Sequence, residues 1–227
     1  MDTIVFPSVL FGPLAPTLVV LGAGALVLAL DILPRAAPRE IAAMVALAGM
    51  VGALLATVAR WSTPGRAFRD MVVLDNFALF FNVVICYAGA LIVLLSMDYL
   101  RRTGAESSEY WALVLFATAG MMLLAAAGDL VVVLLALELM SLSLYVLAGL
   151  FKRELASGEA AMKYFLLGAF ASSFLLYGIA LVYGAAGTTN LDRIAAPLAS
   201  AAASTPTATS NAMSSELRVT GAPMRAA

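Results

Sequence analysis

The chain has no histidine and a single cysteine, Cys86, and only 12% of its 227 residues are charged. Each shortage excludes something. Without histidine, proton chemistry falls to carboxylates, lysine, hydroxyls and water. One cysteine cannot form a disulfide within the chain, and no CxxC pair stands ready to ligate an iron–sulfur cluster. Cys86 lies in an apolar run and reads as a small packed residue. A net charge of −1 carries no information about charged partners, and no nucleic-acid partner is expected. The first twenty residues lack the basic segment of a secretory signal, so they are read as mature sequence.

What is abundant is apolar. The chain is 63% hydrophobic with mean hydropathy +1.00, whereas soluble domains are about half apolar and about a quarter charged. It reads as an integral membrane protein in contact with the lipid bilayer. Crossing the hydrocarbon takes about 20 mostly apolar residues. Six stretches qualify, near residues 10–33, 41–59, 77–97, 111–127, 130–150 and 163–183. Backbone groups in lipid must bond within their own segment, and the runs are continuous rather than alternating, so the spacing predicts helices. The fold expected is all-α: a polytopic transmembrane bundle of about six helices over 1–196. An Ala/Ser/Thr/Pro-rich tail over 197–227 is expected to be disordered.

The connections add detail. Gly128-Asp129 is so short a turn that the fourth and fifth helices must be antiparallel neighbours. Arg35, Arg39, Arg101, Arg102, Lys152 and Arg153, with Lys163 just beyond, fall in the loops after helices one, three and five. Arg60, Arg66, Arg69 and Arg193 fall in the others. The excess predicts the first set inside and the N-terminus outside. Asp31, Asp75, Asp98 and Asp129 lie at helix ends and read as solvated carboxylates. The stretch "GAGALV" at 22–27 and the Gly168/Ser172 pair read as helix-packing positions.

One residue does not fit an inert span. Glu138 sits in the middle of "LVVVLLALELMSLSLYVLAG". A carboxylate at a helix centre costs roughly 2.5–3.5 kcal/mol to insert. It must therefore face the bundle, a cation or water. Ser141 and Tyr145, three and seven residues on, share its helical face. Lys163 opens the sixth stretch with Glu159 four residues before it, the favourable order for an ion pair. By depth, Lys163 is too near the surface to touch Glu138 directly.

At this point "LALDILP", "LDNFALFFNVVICYAGALIVLLSMDYL" and the block from "GDLVVVLLALELMSLSLYVLAG" to "GAAGTTNL" resemble a known family. It is that of the antiporter-like membrane subunits of bacterial NADH–quinone oxidoreductase, respiratory complex I, in particular subunit N. These are related to Mrp-type cation/proton antiporters. The resemblance runs to about residue 196. It implies a multi-pass subunit of the bacterial inner membrane, packed among other membrane subunits of the complex. Glu138 and Lys163 would be the proton-translocating residues, with Glu159, Ser141 and Tyr145 in support. NAD, FMN, iron–sulfur clusters and quinone would belong to the assembled complex, with none bound by this chain. Family members have about fourteen helices. The lysines of their seventh and eighth helices and their second repeat have no counterpart here, so the expectation is a truncated or frameshifted N-terminal part. The alternatives are a non-pumping bundle with no activity of its own and an Mrp-type antiporter subunit.

Overall fold

The computed structural model describes residues 11–32, 39–103, 107–151 and 154–195. The chain divides into two units, Met1–Asn190 and Leu191–Ala227. Within the second, residues 191–195 are helical. The tail expected to be disordered lies outside the described residues, as do Arg35, Lys152 and Arg153.

Among the described residues six helices follow in order: α1 (Ala15–Ile32), α2 (Arg39–Ala59), α3 (Asn76–Thr103), α4 (Ser108–Ala125), α5 (Leu130–Ala148) and α6 (Leu155–Ala186). All six are long and apolar enough to cross a membrane. The starts of α3, α4 and α5 are set by side chains that accept otherwise unpaired N–H groups. The Ala78 N–H donates to Asp75 at 2.8 Å, the Tyr110 N–H to Ser107 at 3.3 Å and the Val131 N–H to Asp129 at 2.9 Å.

α6 begins at Leu155 rather than near 163. Hydropathy underestimates it because helix hydrogen bonding does not require apolar side chains. "LASGEAAMK" contains no proline, and the Glu159–Lys163 pair supports the added turns.

α1 to α4 share one packed core, in which Val20, Met50, Cys86, Val93, Leu115 and Met122 are buried. Lipid tails are as apolar as leucine, so these helices hold together by close fit at small residues rather than by exclusion from water. The "GAGALV" stretch does this work: Gly24 faces the Phe116 ring and Ala23 faces Gly49 of α2. The antiparallel α4–α5 pair is closer still. A β-carbon at Gly120 would come within 2.7 Å of the Met140 backbone nitrogen and 2.9 Å of the Ala136 oxygen.

The loop between α2 and α3 is not featureless. β1 (Gly65–Ala67) and β2 (Val72–Leu74) form an antiparallel hairpin with Gly65 opposite Leu74. Its tip holds Phe68, Arg69 and Asp70 at φ of 52°, 56° and 68°. The hairpin bonds to the α4–α5 turn: the Val73 N–H donates to Ala126 O at 2.8 Å and the Gly128 N–H to Met71 O at 2.9 Å. Gly128 must be glycine, because a β-carbon there would collide with the Asp70 carbonyl.

Candidate functional site

Glu138 lies next to the midpoint of α5 and is half-buried. It makes no hydrogen bond or ion pair with any other described residue. Helical geometry explains its position. Val132, Ala136 and Ser143 form the buried stripe of α5, and Ala136 and Met140 bear on Gly120 of α4. At 100° per residue, Glu138 points the other way, with Leu135 and Leu142 flanking it in the open. Ser141 and Tyr145 share that face, as the spacing predicted, and Ser141 is half-buried like Glu138.

Tyr145 is bound up in packing against α6. Its ring stands edge-on to Tyr164, with centroids 4.7 Å apart, and to Phe165 at 5.9 Å. Its hydroxyl occupies the place where a β-carbon at Gly168 would go. Gly168 is thus a packing position, as its sequence context suggested. An apolar cavity of about 410 Å³ beside this seam is lined by residues such as Leu142, Val146, Met162 and Phe165, and by neither Glu138 nor Lys163.

Lys163 and Glu159 form the expected ion pair, exposed on both sides. The register of the α5–α6 hairpin gives their depth. Gly149 meets Ala161, and Tyr145 meets Phe165. Continuing that antiparallel count puts Lys163 level with Leu147 and Glu138 level with Ser172. Nine residues therefore separate the levels of Glu138 and Lys163, about 13 Å along the axis. The two groups are not brought together. Ser172 is the polar residue that the register carries to Glu138, a relation visible only once the hairpin is aligned.

One aspartate departs from expectation. Asp129 is 4% exposed, not solvated. One carboxylate oxygen accepts the Val131 N–H and the other accepts the Thr189 hydroxyl at 2.8 Å. The Leu130 N–H donates to Thr189 O at 2.9 Å, and the Asn190 amide donates to Asp70 O at 3.5 Å. The end of α6, the start of α5 and the hairpin tip are thereby knotted together. A composition-based reading of helix ends misses this, because what covers Asp129 lies sixty residues away.

Six helices of membrane-spanning length and apolarity define a polytopic membrane protein, and Glu138 stands mid-span among them with no partner in the described residues. Residues 127–220 match the family model described as NADH:quinone oxidoreductase/Mrp antiporter, TM. That match passes residue 196, where the motif resemblance ends, into residues outside the description. The chain is 44% identical over 190 residues to NADH-quinone oxidoreductase subunit N of Trichlorobacter lovleyi, covering 84% of this chain and 39% of that protein. It is 41% identical over 202 residues to the subunit N of Chloroflexus aggregans, covering 88% and 41%. Among solved structures, respiratory complex I from Thermus thermophilus with bound aureothin matches with TM-score 0.67 and 32% identity, over 78% of this chain and 38% of that one. The membrane-bound sulfane sulfur reductase, an archaeal respiratory membrane complex, matches in fold with TM-score 0.66 at 23% identity, over 81% and 39%. The chain belongs to this family of antiporter-like respiratory membrane subunits, and the relatives named here are subunit N. It spans about two fifths of the length of those relatives.

Proposed function

We propose that this chain contributes part of a proton half-channel to a proton-pumping NADH–quinone oxidoreductase of the bacterial inner membrane. Residues 1–196 form the membrane domain, with the N-terminus outside, and 197–227 form a tail. Glu138 is the proton-carrying group at mid-membrane. Lys163, held by Glu159, is the second charged station. The offset between their levels calls for water or further groups in between, with Ser141 in support on the α5 face. Tyr145 acts by holding α5 against α6. The partners are other membrane subunits of the complex, which carry the NAD, FMN, iron–sulfur and quinone chemistry.

The observation that carries this reading is Glu138: an ionisable group at the centre of a span, unpaired, and turned away from the α4 contact. An intramembrane carboxylate with no partner has a cost and no structural return, which favours a role in charge movement. The family description also covers Mrp antiporters, but the subunit N relatives favour the respiratory complex.

The test is NADH-driven proton uptake by inverted membrane vesicles from a strain carrying changes at position 138 of the chromosomal gene. Glu138→Ala should lower uptake about tenfold or more, a loss of the size seen when a proton-transfer group is removed. Glu138→Asp should be milder. Uptake at the wild-type level with Glu138→Ala would overturn the assignment.

A further inference from the structure

A cavity of about 500 Å³ opens where α2 begins and α3 ends, within the roughly 300–1,000 Å³ range of small-ligand sites. Its floor is buried: Ala43 is 2% exposed and Trp111 3%. Met44 and Met97 line its sides, and Glu40, Asp98 and Arg101 stand around its mouth.

The charges at the mouth are unevenly committed. Asp98 is bonded to Arg102 at 2.8 Å. Glu40 and Arg101 pair neither with each other nor with any other described residue. One carboxylate and one guanidinium thus border the same cavity with no bond to another described residue.

The cavity's level in the membrane follows from α3. Its 28 residues extend about 42 Å at 1.5 Å per residue, more than the roughly 30 Å of hydrocarbon. The last turns, which carry Asp98, Arg101 and Arg102, therefore reach the headgroup layer. Tyr99, Tyr110 and Trp111 gather at the same end, the residue types that favour the membrane–water boundary.

From this geometry we propose that the cavity is a binding site for a phospholipid whose headgroup is phosphoethanolamine. The guanidinium of Arg101 takes the phosphate diester, for which its planar fork is suited. Glu40 accepts N–H bonds from the primary ammonium. The glycerol and upper acyl chain lie along Met44 and Met97, whose flexible side chains adapt to an irregular chain. The two free charges set the selectivity. A choline headgroup has no N–H to give Glu40. A glycerol headgroup brings an anion and no cation beside Glu40 and Asp98.

The test reconstitutes the full chain in nanodiscs of equal parts phosphatidylethanolamine, phosphatidylcholine and phosphatidylglycerol. After repeated detergent washing, the retained lipid is identified by mass spectrometry. Phosphatidylethanolamine should be retained about tenfold over the other two, the factor expected for one added charge-assisted hydrogen bond. Glu40→Gln should abolish its advantage over phosphatidylcholine, and Arg101→Gln should abolish retention of all three. Arg60→Gln, at the other end of α2 from the cavity, should change neither. Helix content measured by circular dichroism checks that each variant folds, and the wild-type ranking stands without them. Equal retention of the three lipids, preference for phosphatidylglycerol, or unchanged retention in both folded cavity variants would overturn the proposal. Displacement of bound lipid by water-soluble glycerophosphoethanolamine would overturn the lipid assignment in favour of a soluble ligand.

Discussion

α4 and α6 are both apolar membrane helices, and they are used in opposite ways. Half of the membrane window of α4 is buried inside the bundle, against 6% of that of α6. α4 touches neighbours on several sides, with Trp111, Leu115, Ala119 and Met122 all enclosed. α6 encloses only Ile179 fully and leaves Phe170, Phe174 and Tyr177 open. Hydropathy does not report which of the two is enclosed, and the open α6 is the more apolar, because in a bilayer an apolar side chain is equally at home against lipid or protein. Small residues and backbone approach separate them. Gly120 lets α4 close on α5, whereas Gly178 and Gly184 of α6 have nothing nearby.

The sharpest way to break this contrast is Gly120→Leu. The new side chain would meet the α5 backbone, which cannot move aside. Overpacking of this kind should cost at least about 3 kcal/mol, read as loss of the folded fraction in a detergent–SDS titration. Gly178→Leu, in open space, should stay within about 0.5 kcal/mol by the same measurement. Equal effects would mean that the burial difference between α4 and α6 has no energetic counterpart.

Asp129→Ala comes next. It removes the α5 cap and leaves the Thr189 hydroxyl without its acceptor, at a cost of about 2–3 kcal/mol. Asp129→Asn keeps an acceptor oxygen for the Val131 N–H and should lose less. Faster proteolysis at the 187–190 connection in Asp129→Ala would report the opened knot directly. An unchanged digestion rate would count against it.

A smaller effect is expected at the Tyr145–Gly168 seat of α6. Gly168→Leu would displace the Tyr145 hydroxyl and lift α6 from α5. Disulfide formation between Gly149→Cys and Ala161→Cys should fall several-fold in that background, while α4–α5 stability stays unchanged. The smallest concerns the exposed ion pair. Glu159→Gln should alter stability by less than about 0.5 kcal/mol, since exposed pairs contribute little. A decrease in proton uptake by vesicles bearing Glu159→Gln would then report function rather than folding, and unchanged uptake would remove Glu159 from the proposed station.

Six apolar runs were enough to announce six helices, because a bilayer leaves an isolated segment no other way to satisfy its backbone. The Gly128-Asp129 turn announced the α4–α5 pair for the same kind of local reason: two residues cannot carry the chain anywhere else. Glu138, Ser141 and Tyr145 were legible as one face from spacing alone, and Glu159–Lys163 as a pair. The start of α6 was hidden, since polar turns are helical or not according to bonds that hydropathy does not register. The hairpin at 65–74 was hidden too, because its bonds run to the α4–α5 turn.

Chain-local physics, then, determined the membrane class, the helices and the mid-span carboxylate. Partners distant in sequence decided the rest. Thr189 makes Asp129 a buried anchor instead of a solvated end. The seating of Tyr145 on Gly168 sets the register that separates Glu138 from Lys163 and brings Ser172 level with it. The packing of α2, α3 and α4 leaves Glu40 and Arg101 around one cavity without pairing them. Each of these depends on which surfaces meet in space, and residues far apart along a chain carry no local mark of that meeting.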